Sequence, residues 1–521
     1  MRRLVIALTT LLTLVGAVVV GGYLAFFSAS PDRAAAAVPA EAPIYVSVYL
    51  EPSGGQQMNL GSLIGRLPGF GDQAALGTKV DEAVQQLLSG SGFDYRRDLK
   101  PWLGDQLAVA VTPAVGNPLG SQVLLIAAVK DAAAARAALA RLSSAAGGQP
   151  SRQMHAGVTM EVGSAYAYAF LGDGSQVVIG RDAGQVSAAI DASSGARRSL
   201  ADQAAFGRAM ASLPTDRLAS AYLDLGRLAA AEGMTGQLGG FSTVSLALVA
   251  QPEGLEVTGG APFDPQRASP SQSGPSALSA GQSSLSGWMP ATTSAEAAVF
   301  GLRDLLTSAE TRIGQQPGAA GLAQTITQLR AIVAFGLGLN VDTDLLPLLD
   351  RETGLAFSGV GPGGPRGQLL LRPSDSAAAQ GTLDRLRDAL SSRGATVTTR
   401  DASGVPITTV AAPQLGSVSY ALSDGVVILA LTPDDVAAAL AAHADGQTLV
   451  ASSGYRRTFE AIGGRAGAEL YVDLPRVLSA SGLQIDLSTE TRDMLTHISG
   501  VALTLPARAD RIEFHLIATI R

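Results

Sequence analysis

Leu171-Gly-Asp-Gly-Ser-Gln-Val-Val-Ile-Gly180 leads into an alanine-rich segment and then Tyr222-Leu-Asp-Leu-Gly-Arg-Leu228. About 250 residues later the order returns, with Leu422-Ser-Asp-Gly-Val-Val-Ile-Leu-Ala430 and then Tyr471-Val-Asp-Leu-Pro-Arg-Val477. Asp173 and Gly174 align with Asp424 and Gly425, and Tyr222, Asp224 and Arg227 with Tyr471, Asp473 and Arg476. Recurrence in the same order predicts two tandem, structurally similar units.

Working outward, Asp-Gly between apolar runs supplies the positive φ of a tight hairpin. Strands are expected at 45–50, 107–111, 123–129, 157–162, 165–171, 176–180, 218–224, 243–249 and 254–259, and a helix near 73–89. Asp131 and Asp375 stand where an N-cap belongs, ahead of Leu139 with Leu142 and of Leu383 with Leu386. In the second half, Leu322, Ile326, Leu329 and Val333 form the expected inward stripe of a helix. Short turns between consecutive strands favour antiparallel pairing. The expected fold class is α+β, two units that each have a mostly antiparallel sheet with helices packed on one face, after an N-terminal transmembrane helix.

The 24-residue apolar run Leu4–Phe27 follows Met1-Arg-Arg. As a helix it would be about 36 Å long, against about 30 Å for a hydrocarbon core. It reads as an uncleaved anchor, with cleavage near Ser28–Ser30 or Ala34–Ala36 left open. Arg2 and Arg3 place the N-terminus in the cytoplasm and residues after 28 outside, as a single-pass protein of the cell membrane. The division is then 1–28 anchor, 29–42 tether, 43–262 first unit, 263–288 Ser/Pro/Gly linker and 289–521 second unit.

At 521 residues the chain exceeds one core. Charged residues make up 16% and net charge is −7, which argues against a nucleic-acid binder. The absence of cysteine removes disulfides and thiolate chemistry. His155, His443, His497 and His515 show no metal-ligand spacing, and no cofactor is expected. His515 is expected on the solvent face of the last strand, opposite Ile512, Phe514 and Leu516. Gly359-Val-Gly361-Pro-Gly-Gly364 fits the dinucleotide pattern, but a strand follows it instead of a helix, so a hairpin loop is expected. Asp224 and Asp473 read as helix caps, with Arg227 and Arg476 pairing with nearby carboxylates or the sheet edge.

The densest polar and aromatic cluster is Asp94–Asp105. Tyr95, Arg96, Arg97, Lys100 and Trp102 form a candidate interaction cluster, although Leu348-Leu349 at the matching place in the second half favours Trp102 with Leu103 as a core plug and the charges facing water.

Lys100-Pro-Trp-Leu-Gly104, Val38-Pro-Ala-Glu-Ala-Pro-Ile-Tyr-Val-Ser-Val48 and the N-terminal apolar run together resemble the bacterial DUF3352 family. The resemblance implies membrane-anchored or exported proteins of this length and carries no activity or site residues.

The leading expectation is a non-enzymatic, membrane-anchored extracytoplasmic module that binds or supports the cell envelope. Its partners would be the membrane through residues 4–27 and an envelope protein, polymer or lipid. The alternative is a carrier or sensor of an apolar ligand such as a lipid. A cell-wall hydrolase would need a facing carboxylate pair such as Asp94 and Asp105.

Overall fold

The computed structural model describes residues 32–67, 81, 85, 94–113, 121–145, 150–164, 166–231, 240–266, 281–315, 320–361, 364–412, 416–480 and 489–521. The chain divides into two compact units, Met1–Pro262 and Phe263–Arg521.

In the first unit the strands are β1 (Ile44–Tyr49), β2 (Leu103–Thr112), β3 (Gln122–Val129), β4 (Ser151–His155) and β5 (Val158–Val162). They continue with β6 (Ala167–Leu171), β7 (Gln176–Gly180), β8 (Ala219–Asp224), β9 (Thr243–Ala250) and β10 (Gly254–Pro262). All pair antiparallel, in the order β4-β5-β6-β7-β3-β2-β1-β8-β9-β10. The helices are α1 (Gly54–Gly65), α2 (Ala132–Ala145), α3 (Ala183–Ser193), α4 (Ala204–Ala211) and α5 (Leu225–Ala231).

In the second unit the strands are β11 (Ala295–Phe300), β12 (Glu352–Gly361), β13 (Gly364–Arg372), β14 (Thr396–Ala402) and β15 (Val405–Ala412). After them come β16 (Gly416–Ser423), β17 (Val426–Ala430), β18 (Ala468–Val472), β19 (Ile498–Leu505), β20 (Ala507–Arg508) and β21 (Arg511–Ile520). The antiparallel order is β14-β15-β16-β17-β13-β12-β11-β18-β19-β21, with β20 folded back on β21. The helices are α6 (Leu302–Gln315), α7 (Ala320–Leu337), α8 (Ser376–Ser391), α9 (Pro433–Asp445), α10 (Ser453–Glu460), α11 (Leu474–Ser479) and α12 (Thr489–Thr496).

The antiparallel α+β character follows from the hairpins. Asp173 and Gly174 take φ of 58° and 91°, and Asp424 and Gly425 take 46° and 74°. Asp173 and Gly174 sit in a four-residue connection from Leu171 to Gln176, while at Asp424-Gly425 the left-handed values let a two-residue turn match the twist of the strands it joins. Ala156-Gly157 and Ser403-Gly404 do the same for β4–β5 and β14–β15.

Helices on one face is corrected to helices on both. Along β7, Val178 packs under α3 with Val186 and Ile190, while its neighbour Val177 packs under α2 with Ala138 and Leu139. In the second unit Ile428 lies with Val436 and Leu440 of α9, and Val427 with Ala379 and Leu383 of α8. Successive side chains point to opposite faces, so a strand apolar at every position needs cover on both.

Two further expectations are corrected. The expected internal repeat, two tandem similar units each with a sheet of its own, is corrected to one 21-stranded sheet formed by the described strands. Recurring segments report turns and caps, which are local, whereas sheet partition is decided by edges far apart in sequence. The N-terminal transmembrane helix and the single-pass localisation fall on residues 4–27, outside the described residues. Among the described residues no single helix is long and apolar enough to cross a membrane. The candidate span there is mid-chain, the pair Gly321–Leu337 and Val341–Leu349 bent by 81°. Apolar length alone does not identify an anchor, and the localisation that rested on it is withdrawn.

Smaller differences concern faces. Of the expected tether, Ala34–Ala37 forms a buried 3-10 turn, and Val38 is fully buried. Of the expected linker, 267–280 lies outside the described residues, and Leu285 and Trp288 are core residues. Of the helix expected at 73–89, only Asp81 and Gln85 are described. Leu322 and Leu329 face out, at 49% and 56% exposure, while Ile326 and Val333 are half-buried. In β21 the face of His515 carries Ile517 and Thr519, both buried, so the expected inward face is reversed in the second half of that strand.

Like Gly259, Gly367 marks a close strand contact. A Cβ there would sit 2.0 Å from the Ala356 carbonyl oxygen on the neighbouring strand. Backbone cannot yield as a flexible side chain does, so Gly367→Ala should destabilise the chain by about 1–3 kcal/mol, read by chemical denaturation. Gly314→Ala, where a Cβ meets nothing within 4 Å, is the control.

Candidate functional site

The expected cluster forms a π-helical turn, Tyr95–Leu99. Asp94 caps it, its Oδ1 accepting the Arg97 N–H at 2.8 Å, and Asp98 Oδ2 accepts the Asp94 N–H at 3.0 Å. Arg97 binds Asp98 through Nε at 2.9 Å and Nη2 at 2.8 Å, and Arg141 approaches at 3.5 Å. The Arg97 contact, supported by the Asp94 N–H and Arg141, holds the Asp98 carboxyl down at about 2 against the opposing effect of burial. Arg96 and Lys100 both bind Asp81, at 2.9 and 2.8 Å. Trp102 is buried and donates Nε1–H to the Asp98 carbonyl. The structure does bring these residues together, but each cation is engaged in a local ion pair. Asp105 accepts both hydrogen bonds of the Arg33 guanidinium at 2.7 Å. Asp94 and Asp105 are therefore committed to a turn cap and an ion pair.

The aspartates read as caps do cap. Asp224 Oδ1 accepts the Arg227 N–H at 3.0 Å and Asp473 Oδ1 the Arg476 N–H at 3.1 Å. Each arginine turns back onto its aspartate at 3.3 Å and reaches a backbone carbonyl, Ala40 for Arg227 and Ala291 for Arg476. Of Gly359–Gly364, Gly359–Gly361 ends β12 and Gly364 opens β13, paired across a hairpin, and 362–363 lie outside the described residues.

A cluster that sequence reasoning missed lies in the second unit. Glu296 on β11, Glu352 on β12 and Glu469 on β18 are 2%, 4% and 3% exposed. Register explains their meeting. Glu296 lies across from Tyr471, Ala298 across from Glu469 and Gly354, and Phe300 across from Glu352, so all three acids point to one face. Glu352 accepts the N–H groups of Ser284 and Leu285 and both serine hydroxyls, Ser283 and Ser284, fastening the 3-10 turn Leu285–Gly287. Arg465 grips Glu469 through Nε at 3.0 Å and Nη2 at 2.6 Å, and also reaches the Ser283 carbonyl and the Ser286 hydroxyl.

Glu296 is left over. Neither of its oxygens makes a hydrogen bond. The Tyr455 and Ser286 hydroxyls and Arg465 lie near enough to favour its charged form, but burial and the Glu469 carboxylate prevail and raise it to about 8. The same burial, with the two carboxylates, pushes the Tyr455 phenol far above its ordinary range. The cluster thus holds one gripped carboxylate, one capping carboxylate and one acid that keeps its proton at neutral pH. The sequence signal was an acid at an inward position of an alanine-rich strand, Ala295-Glu-Ala-Ala-Val-Phe300.

A cavity opens in the first unit where the sheet parts. β5 pairs with β6 only from Met160–Val162 to Ala167–Ala169. Beyond that the β4–β5 hairpin tip stays paired within itself, and Phe170 and Leu171 pair only with β7. Between them lies about 1090 Å³, lined by Val158, Phe170, Leu171 and Ile190 among others. His155 ties the hairpin tip to α3 through Asp191, Nε2 to Oδ1 at 2.6 Å. Arg152 binds Glu161 at 2.8 Å. Arg136 stands over the Phe170 ring, 4.7 Å from its centroid, and makes no ion pair among the described residues. Among the described residues no group of three or more acid, histidine or cysteine side chains is placed to hold a metal.

The first unit is thus an antiparallel sheet covered on both faces, with a cavity of mixed apolar and polar lining at a split in its strands. The chain belongs to the family described as Protein of unknown function (DUF3352), whose profile matches residues 4–516. Comparison with curated proteins gives no match. Among solved structures, crystal forms III and IV of TP0453 align at 12% and 13% identity. Each alignment covers 45% of this chain and 80% or 81% of that one, with a TM-score of 0.25, too low to transfer any property.

Glu296 sets a pH dependence. Its folded value lies above the ordinary 4.5, so the folded chain holds a proton that the unfolded chain releases. The stabilisation is complete below about pH 4.5 and is lost as pH rises through about 8. Melting temperature followed from about pH 5 to about pH 8.5 should fall for the native chain, and less for Glu296→Gln. By contrast, Glu469→Ala strands Arg465 and should cost roughly 3–5 kcal/mol at neutral pH in the same assay.

Proposed function

We propose that this chain is a non-catalytic carrier or sensor of an apolar, lipid-like ligand with an anionic end. The observation that carries this reading is the cavity between the β4–β5 hairpin tip and β6. Its size is at the upper end of small-ligand sites, roughly 300–1,000 Å³. Val158, Phe170, Leu171 and Ile190 offer an acyl chain an aliphatic and aromatic wall, and burial there is worth about 0.8 kcal/mol per methylene. Arg136, held over Phe170 and making no ion pair among the described residues, supplies a cation for a carboxylate or phosphate end. Of the two acids lining the cavity, Glu161 is engaged by Arg152 and Asp173 sits in the Gly172–Gly174 turn, while His155 and Asp191 at the hairpin tip are engaged with each other. That favours holding a ligand over transforming it. The low charged fraction of 16% suits the same role.

Binding of a fluorescent polyene fatty acid tests this. The full chain should bind the probe saturably. Arg136→Ala should weaken binding about tenfold, the equivalent of about 1.4 kcal/mol. Ala140→Trp, which fills the cavity from the exposed side of α2, should abolish it. Absence of saturable binding, or equal affinity in both variants, would overturn the reading. A clean solvent extract of the purified chain, examined by mass spectrometry, would count against a resident ligand.

A further inference from the structure

In the second unit, α7 is mostly apolar, with Gln324, Thr325, Thr327 and Gln328 as its uncharged polar residues and Arg330 as its one charged residue. A helix of that composition is ordinarily buried in a core or in a membrane. Here it is not. Phe335 is 88% exposed, Ile332 64%, Leu329 56% and Leu322 49%. These four span about 20 Å of helix, and no charged side chain lies among them. From these side chains we infer that the outward face of α7, Leu322 to Phe335, is a docking face for an anionic lipid bilayer surface.

Charge at the patch selects this occupant. Arg393 sits at the C-terminal end of α7 and donates to the Phe335 carbonyl at 3.3 Å. Its other hydrogen bond is to the Ala389 carbonyl, so no carboxylate neutralises it among the described residues. The acids beside the helix are already paired. Arg330 turns inward to bind Glu310 at 2.6 Å and Asp342 at 2.7 Å, and Arg385 binds Asp344 at 2.7 Å. An anionic surface therefore meets an uncharged, largely apolar stripe, which also holds Thr325 and Gln328 and ends in a cation, the pairing that seats a helix at the headgroup level. The inward clamps of Arg330 also fix the orientation. With Ile326 and Val333 half-buried and Arg330 held to α6 and the following turn, α7 lies along the surface and does not cross it. This inference stands apart from the ligand cavity, which lies in the other unit.

A single tryptophan reporter tests it in the full chain. The native tryptophans, Trp102 and Trp288, are both 2% exposed and should be silent toward lipid. In Phe335→Trp, vesicles of phosphatidylglycerol and phosphatidylcholine with brominated acyl chains should quench emission severalfold more than unbrominated vesicles. Adding Arg393→Ala should raise the anionic lipid needed for half-quenching about fivefold. Equal emission with brominated and unbrominated vesicles would overturn the inference. So would self-association without lipid that Ile332→Ser abolishes, because a second copy would then be the occupant. Fatty-acid probe binding, measured on the same samples, reports separately on the cavity.

Discussion

Burial of both faces of the strands beneath the helices, β7 and β17 among them, is the constraint that organises this protein. A strand such as Val177-Val-Ile-Gly180 offers no polar side for water, so helices must cover it above and below. That requirement explains the composition. Alanines at 135, 138, 189 and 439 sit at the helix–sheet contacts, essentially inaccessible to solvent, and small side chains there allow close approach. Covering both faces leaves fewer positions that need charge, in keeping with the low charged fraction.

Within that dry interior the acids of the second unit stand out. A buried carboxylate is tolerated when it is gripped, capped or neutral, and Glu469, Glu352 and Glu296 each use a different one of these routes. The cluster is coupled to chain entry into the unit, since Glu352 and Arg465 both hold the segment Ser283–Ser286. Its protonation and the seating of that segment are one local problem of charge placement.

Local chemistry was legible in the sequence. Asp-Gly turns, the caps at Asp131, Asp224, Asp375 and Asp473, and the arginines that fold back on two of them follow from residue type and position. Tyr95–Trp102 was legible as a cluster, although its cations turn out to serve Asp81 and Asp98. What stayed hidden depends on distant partners. Cover on the second sheet face, the outward turn of Leu322 and Leu329, and the reversed face at Ile517 are decided by neighbours that periodicity does not name. The cavity arises from a register that stops at Ala169, and the acid cluster from three strands brought side by side.

Strand β1 lies between β2 and β8, and its second neighbour is encoded late: Val48 pairs with Ala219. At a synthesis rate of about 5–20 residues per second, that edge waits roughly ten to thirty seconds for its partner. A nascent chain with such a long-range closure folds slowly and shows an adhesive edge in the interval. Expression yield should consequently respond more to chaperone supply and growth temperature than the finished protein's resistance to heat would suggest.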